Sequence, residues 1–156
     1  MAPYLLQREQ WIPRPIEDVF AFFADARNLE AITPPWLGFQ ILSPEPIAMR
    51  SGARILYQLR WHGFPVRWVT EIQTWNPPTE FIDVQARGPY RLWHHTHRFQ
   101  PVDGGTLMRD VVRYALPLGP LGRLAHAWLV KSDLKAIFDY RAAKVSEILE
   151  AWSAHE

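Results

Sequence analysis

Two histidines stand two residues apart in the tract Trp93-His94-His95-Thr96-His97-Arg98-Phe99. Strand alternation sends Trp93, His95, His97 and Phe99 to one face, and no helical register gathers the same aromatics. Imidazoles set among aromatic rings suit two tasks: holding the polar end of a ligand, or moving protons near neutral pH. What stands beside them decides the chemistry. A neighbouring carboxylate would make either imidazole a general base, and a tyrosine or guanidinium would stabilise a developing oxyanion.

Three other tracts supply such partners. If His95 and His97 face inward, the following strand presents Met108, Asp110, Val112, Tyr114 and Leu116 on the same side, because the opposite choice buries Arg109 and Arg113. In the preceding strand either Phe81, Asp83 and Gln85 or Ile82, Val84 and Ala86 face that way; the first set is preferred, since a cavity tolerates polar groups that a packed core does not. Arg141 lies in the middle of an apolar helical stripe, between Ile137 and Val145, so it must find a partner or reach water.

Asp83, His95, His97, Asp110, Tyr114 and Arg141 therefore form one candidate cluster. As a structural network, Asp110 or Asp83 neutralises Arg141 while the histidines donate to backbone or water. As a functional one, it orients a ligand, or it catalyses with His95 or His97 as general base and Asp110 or Asp83 as the orienting acid. Trp61, Trp68, Trp93, Phe99 and Phe138 complete the expected ligand-binding wall, and Trp36 and Trp75 are candidates for the wall, its mouth or the core. His95 and His97 have the spacing of metal ligands, but the sequence shows no third strong ligand, so neither a metal nor any other cofactor is assigned. Arg87 and Arg91, on either side of the Gly88-Pro89 turn, read as solvated hairpin ends or as rim residues for an anion. His62 falls in a turn, and His126 reads as a half-buried helix residue.

These residues need a scaffold, and prolines and glycines cut the chain into short blocks that supply one. Strands are predicted at Tyr4 to Ile12, Phe39 to Ser43, Ala53 to Trp61, Phe64 to Trp75, Glu80 to Arg87, Tyr90 to Gln100 and Thr106 to Leu116. Pro15 begins a helix whose Ile16, Val19, Phe20 and Phe23 share a face. A second, brief helix is capped by Asp25, buries Leu29 and Ile32, and stops at Thr33-Pro34-Pro35. From Leu121 to Trp152 the stripe Ala127, Val130, Leu134, Ile137, Phe138, Val145, Ile148, Leu149 and Trp152 predicts one long helix. That order is α+β: a curved antiparallel sheet of about seven strands wrapped around the final helix, with two short helices between the first two strands and a cavity inside. The segments Leu116 to Leu121 and Thr33 to Phe39 would border its entrance.

Composition narrows the class. The 156 residues, 48% hydrophobic and 13% aromatic, suffice for a single domain, 1–156, with a sizeable core. A formal net charge of +1 offers no field for a phosphate backbone, so no nucleic-acid partner is expected. With no cysteine, disulfides, thiolate catalysis and cysteine-ligated metal are excluded. No leader pattern is seen and no apolar run approaches the roughly 18 residues of a membrane span, so a cytoplasmic location is expected. The edge strand Phe39 to Ser43 leaves pairing into a homo-oligomer open.

The segments Pro15-Ile16-Glu17-Asp18-Val19-Phe20, Asn28-Leu29-Glu30, Ile32-Thr33-Pro34-Pro35 and Trp93 to Phe99, within this order of elements, resemble the START-like, or SRPBCC, superfamily over nearly the whole chain. The likeness is closest to bacterial single-domain members labelled ligand-binding or polyketide cyclase/dehydrase-like, and more distant to plant pathogenesis-related and pollen-allergen proteins. It implies a helix-grip fold around a hydrophobic cavity, hence binding of a small apolar molecule such as a lipid, aromatic, polyketide or isoprenoid. It also allows a cyclase, aromatase or dehydratase acting on a polyketide-like carbonyl compound. A third class, similar to the superfamily's cochaperone branch, would be a protein-interaction module using the sheet's outer face or the loops. The superfamily signature is a pattern of elements rather than a catalytic motif, so it carries fold further than function.

Overall fold

The computed structural model describes residues 2–153. β1 (Tyr4–Ile12) is followed by α1 (Ile16–Ala24) and the single turn α2 (Asn28–Ala31). β2 (Gln40–Ile41), β3 (Arg54–Trp61), β4 (Phe64–Asn76), β5 (Glu80–Arg87), β6 (Leu92–Val102) and β7 (Gly105–Ala115) come next. Then α3 (Gly119–Ala125), a π-turn at His126–Val130 and α4 (Lys131–Ser153) form one continuous helical stretch. The seven strands make a single antiparallel sheet in the order β1-β7-β6-β5-β4-β3-β2. This is the expected α+β helix-grip architecture, a curved sheet around a long final helix.

Local sequence explains the main elements. Pro15 holds the extended backbone that precedes α1, Glu17 and Asp18 place negative charge in its first turn, and Ile16, Val19, Phe20 and Phe23 are buried together with Phe22. Tyr4 pairs with Tyr114, so β1 closes against β7, and α1 and α2 carry the chain across to the opposite edge at β2. Irregularities in the β4–β5 register at Val69/Thr70 and Ile72/Thr74 bend the sheet locally.

Two apolar clusters hold sheet and helix together. One joins α1 to Phe81, Phe99 and Met108 of the sheet and to Val145 and Leu149 of α4. The other joins Val112 and Tyr114 of β7 to Val130, Leu134 and Phe138. Arg141 falls between the two sets of α4 anchors, which is why it interrupts the stripe.

Several expectations change in detail. The strand expected at Phe39 to Ser43 shrinks to Gln40–Ile41, because the amides of Leu42 and Ser43 both turn onto the Leu56 carbonyl and regular pairing stops. Asp25 does not cap α2: its carboxylate accepts from the backbone and side chain of Arg27, at 3.0 and 2.8 Å, and forms an Asx-type turn instead. Ala127 is exposed rather than part of the buried stripe, since the π-turn adds a residue to the helical repeat and puts His126 and Val130 inward. Trp128 is consequently 76% exposed and Trp152, at the far end of the stripe, 39%. No helix of the described residues is long and apolar enough to cross a membrane.

Candidate functional site

Asp83 stands opposite His95 in the β5–β6 register, and His97 opposite Asp110 in β6–β7. All four side chains share the concave face, so the set Phe81, Asp83 and Gln85 is the inward one, with Phe81 packed flat on the His97 ring at 4.0 Å. The hydrogen bonds run diagonally between strands: His97 Nε2 to Asp83 Oδ2 at 2.6 Å, and His95 Nε2 to Asp110 Oδ1 at 2.8 Å. The remaining nitrogens lie close to the other carboxylate, with His95 Nδ1 3.8 Å from Asp83 and His97 Nδ1 3.3 Å from Asp110. His97 Nδ1 nonetheless lacks hydrogen-bond geometry to any described residue.

The four groups do not titrate alike. Burial raises the energy of the Asp110 carboxylate, but the hydrogen bond from His95 and the close approach of His97 outweigh this and hold its pKa well below the usual range. Asp83 follows the same logic, with burial overcome by the His97 hydrogen bond and the charges around it. His95 is lowered by burial and by the adjacent His97, which the carboxylates only partly offset. For His97 burial also opposes charge, yet its two carboxylate contacts prevail and its pKa is raised. The directions separate the pair: the two aspartates favour the carboxylate, His97 holds its extra proton to higher pH than an ordinary histidine, and His95 is biased towards the neutral ring. Because His95 Nε2 donates to Asp110, the free lone pair of the neutral ring is on Nδ1.

Above this cluster lies a cavity of about 430 Å³ between the sheet and α4. Trp61, Trp68, Asp83, Trp93, His95, His97, Phe138 and Arg141 all line it. Phe99, Asp110 and Tyr114, expected in the same wall, do not. Phe99 packs against Phe20 and Phe23 of α1, Asp110 is covered by the two imidazoles, and Tyr114 is buried in the second apolar cluster. Asp110 therefore backs the site rather than facing it. Trp75 joins the core around Phe20 and Phe81, and Trp36 is 51% exposed. Arg87 and Arg91 are exposed hairpin ends outside the lining.

Arg141 lines the cavity without the partner expected for it. Its guanidinium lies over the rings of Phe23 and Phe138, at 5.4 and 5.9 Å, and no carboxylate of the described residues is within ion-pair distance. Asp83 and Asp110 affect it only through longer-range charge, because both are already engaged by the histidines.

Sequence reasoning missed several wall residues. Tyr57 hydrogen-bonds Thr70 at 2.9 Å inside the cavity, and burial raises its phenol pKa. Asp133 receives the Trp61 indole at 2.7 Å and His62 at 2.9 Å, which ties α4 to the β3–β4 hairpin. His126, expected to be half-buried, lies outside the cavity lining and is buried: it bonds Tyr114 Oη at 2.7 Å and stacks on Tyr4 at 3.5 Å. A polar residue next to the apolar stripe was the only available signal for Asp133 and His126. Leu118 and Leu121 line the cavity and are 75% and 68% exposed, so the loop before α3 forms part of the rim.

Asp83, His95 and His97 also bring ligand atoms within 4.8 Å of one another, a third ligand not apparent from spacing. The two imidazoles are stacked with centroids 3.7 Å apart, and one nitrogen of each is already hydrogen-bonded to an aspartate.

A family model described as polyketide cyclase / dehydrase and lipid transport matches residues 12–138. Among solved structures, TTHA0849 from Thermus thermophilus is similar with a TM-score of 0.70 at 22% identity, covering 96% of this chain and 99% of that one. Ms6760 from Mycobacterium smegmatis gives 0.70 at 18% identity, covering 94% and 91%. Ara h 8.0201 gives 0.61 at 16% identity, covering 91% and 97%. Likeness at these identities is one of fold. No curated protein matches the chain.

Proposed function

The chain belongs to the polyketide cyclase / dehydrase and lipid transport family, and on that premise we propose that it binds a small hydrophobic molecule between the sheet and α4. The cavity carries this reading. Its volume of about 430 Å³ lies in the range of small-molecule sites, and its wall is dominated by aromatic and aliphatic side chains with a smaller number of polar groups. A fully packed core would not leave such a space.

N-phenyl-1-naphthylamine, a neutral fluorescent apolar molecule, tests the proposal. Wild type should bind it saturably with one site, and Leu59→Trp, which puts an indole where a leucine lines the cavity, should weaken binding at least tenfold while leaving the circular dichroism intact. Binding that is absent, or indifferent to Leu59→Trp, would overturn the reading.

A second reading, a cyclase or dehydratase acting on a polyketide-like carbonyl compound, is favoured by one observation: a neutral His95 on the cavity wall, with Nε2 tied to Asp110 and the Nδ1 lone pair unused. That is the arrangement of an oriented general base. With a poly-β-keto thioester, His95→Phe should abolish turnover while apolar affinity changes less than tenfold. Turnover that survives the change would exclude His95 as the base.

A further inference from the structure

Two donor-only groups on the cavity wall have nothing to donate to. Arg141 Nε and Trp68 Nε1 are buried with no hydrogen-bond partner among the described residues, and both side chains line the cavity. Neither atom can accept a hydrogen bond, so only an acceptor satisfies them. Leaving such donors unmade inside a protein costs about 1–3 kcal/mol each, more for a charged group. The hydrogen bonds of the nearby carboxylates go to other donors: Asp83 to His97, Asp110 to His95, and Asp133 to Trp61 and His62.

The guanidinium is also held in place. Contacts with Phe23 and Phe138 fix it from two sides at the point where α4 changes from one apolar cluster to the other. A guanidinium with no contact ion pair of its own, at the side of an apolar cavity, offers its donors to an anionic group at one end of an apolar ligand. We propose that the ligand is an amphipathic carboxylate, its carboxylate held by Arg141 and its hydrocarbon body by the aromatic wall.

This inference rests on the cavity-binding reading and makes it narrower. The competing role for Arg141 is purely internal, as a counter-charge to Asp83 and Asp110. The two roles differ in what removal of the guanidinium does to ligand choice.

The experiment measures displacement of N-phenyl-1-naphthylamine by dodecanoate, dodecanol and dodecylammonium at one pH, in wild type, Arg141→Met and Arg141→Lys. Wild type should prefer dodecanoate to dodecanol at least tenfold and bind dodecylammonium weakest. Arg141→Met should erase the acid preference, read as the ratio of dodecanoate to dodecanol affinity, and a circular dichroism spectrum matching wild type shows that the variant folds. Arg141→Lys should retain part of the preference through its charge. If the dye binds but wild type shows no acid preference, or Arg141→Met keeps it, Arg141 is only an internal counter-charge and this inference fails alone. If neither the dye nor any displacer binds, the cavity reading fails and takes the inference with it.

Discussion

His95 and His97 stack with ring centroids 3.7 Å apart and lean on the same two carboxylates. Two buried imidazoles in such contact resist a second positive charge, so His97 keeps its extra proton to higher pH while His95 is biased towards the neutral ring. The asymmetry comes from the strand register. His97 meets Asp83 and Asp110 at 2.6 and 3.3 Å, whereas His95 has one short contact and one at 3.8 Å.

Stability should be greatest near the pH of an ordinary histidine. The His97 pKa is raised above 6.5 on folding, so its contribution is complete below that value and is lost as pH rises through the raised one. His95 is lowered from 6.5, so its contribution is complete above that value and is lost as pH falls through the lowered one. Asp83 and Asp110, both held below 3.8, add a further loss at lower pH. Thermal unfolding from pH 4 to 9 should give a midpoint that declines on both sides, and His97→Gln should remove the alkaline decline. A wild-type profile that only rises with pH would contradict a charged His97.

Asp110 backs both histidines, so Asp110→Asn should be the most damaging single change in the cluster. Removing one member of a buried charged pair costs about 3–5 kcal/mol. Asp83 has a side chain 17% exposed against 6% for Asp110, so Asp83→Asn should cost less. Urea unfolding of both variants gives the order directly, and a larger loss for Asp83→Asn would show that the backing role is misassigned.

Tyr114→Phe removes the buried bond to His126 Nε2. The loss should be about 1–2 kcal/mol and should be felt most at the start of the terminal helix. Hydrogen exchange is expected to speed up in α3 and the π-turn while β4, β5 and β6 are unchanged. Uniform acceleration across the sheet would mean that Tyr114 acts through the core and not through His126.

A Cβ at Gly122 would meet the carbonyl oxygen of Pro117, a backbone atom that cannot rotate away. Gly122→Ala should therefore push α3 off the loop carrying Leu118, at a cost of about 1–3 kcal/mol. Leu118 and Leu121 line the cavity, so affinity for N-phenyl-1-naphthylamine should change as well. Stability and dye binding that both match wild type would show that α3 shifts freely at this point.

The strand tracts were readable because a strand's two faces follow from covalent geometry: β6 and β7 alternate as expected, and burying Arg109 and Arg113 was never an option. The same logic placed His95, His97 and Asp110 on one face and left β5 open between its Asp83 and Ile82 sets, which the pairing with β6 decides. The π-turn was not readable, because nothing in His126-Ala127-Trp128-Leu129-Val130 opposes a regular helix. It arises from contacts across the molecule, where His126 is drawn between Tyr4 and Tyr114.

Periodicity established which side chains of β6 and β7 share the concave face, and that Arg141 interrupts the apolar stripe of the final helix. Sharing a face is a property of neighbouring bonds. Lining a cavity depends on curvature and on how far α4 stands from each strand, which are set by the two apolar clusters at its ends. That spacing brought His95, His97 and Asp83 to the wall, covered Asp110 and Tyr114, and left the Arg141 guanidinium with two aromatic faces and no acid.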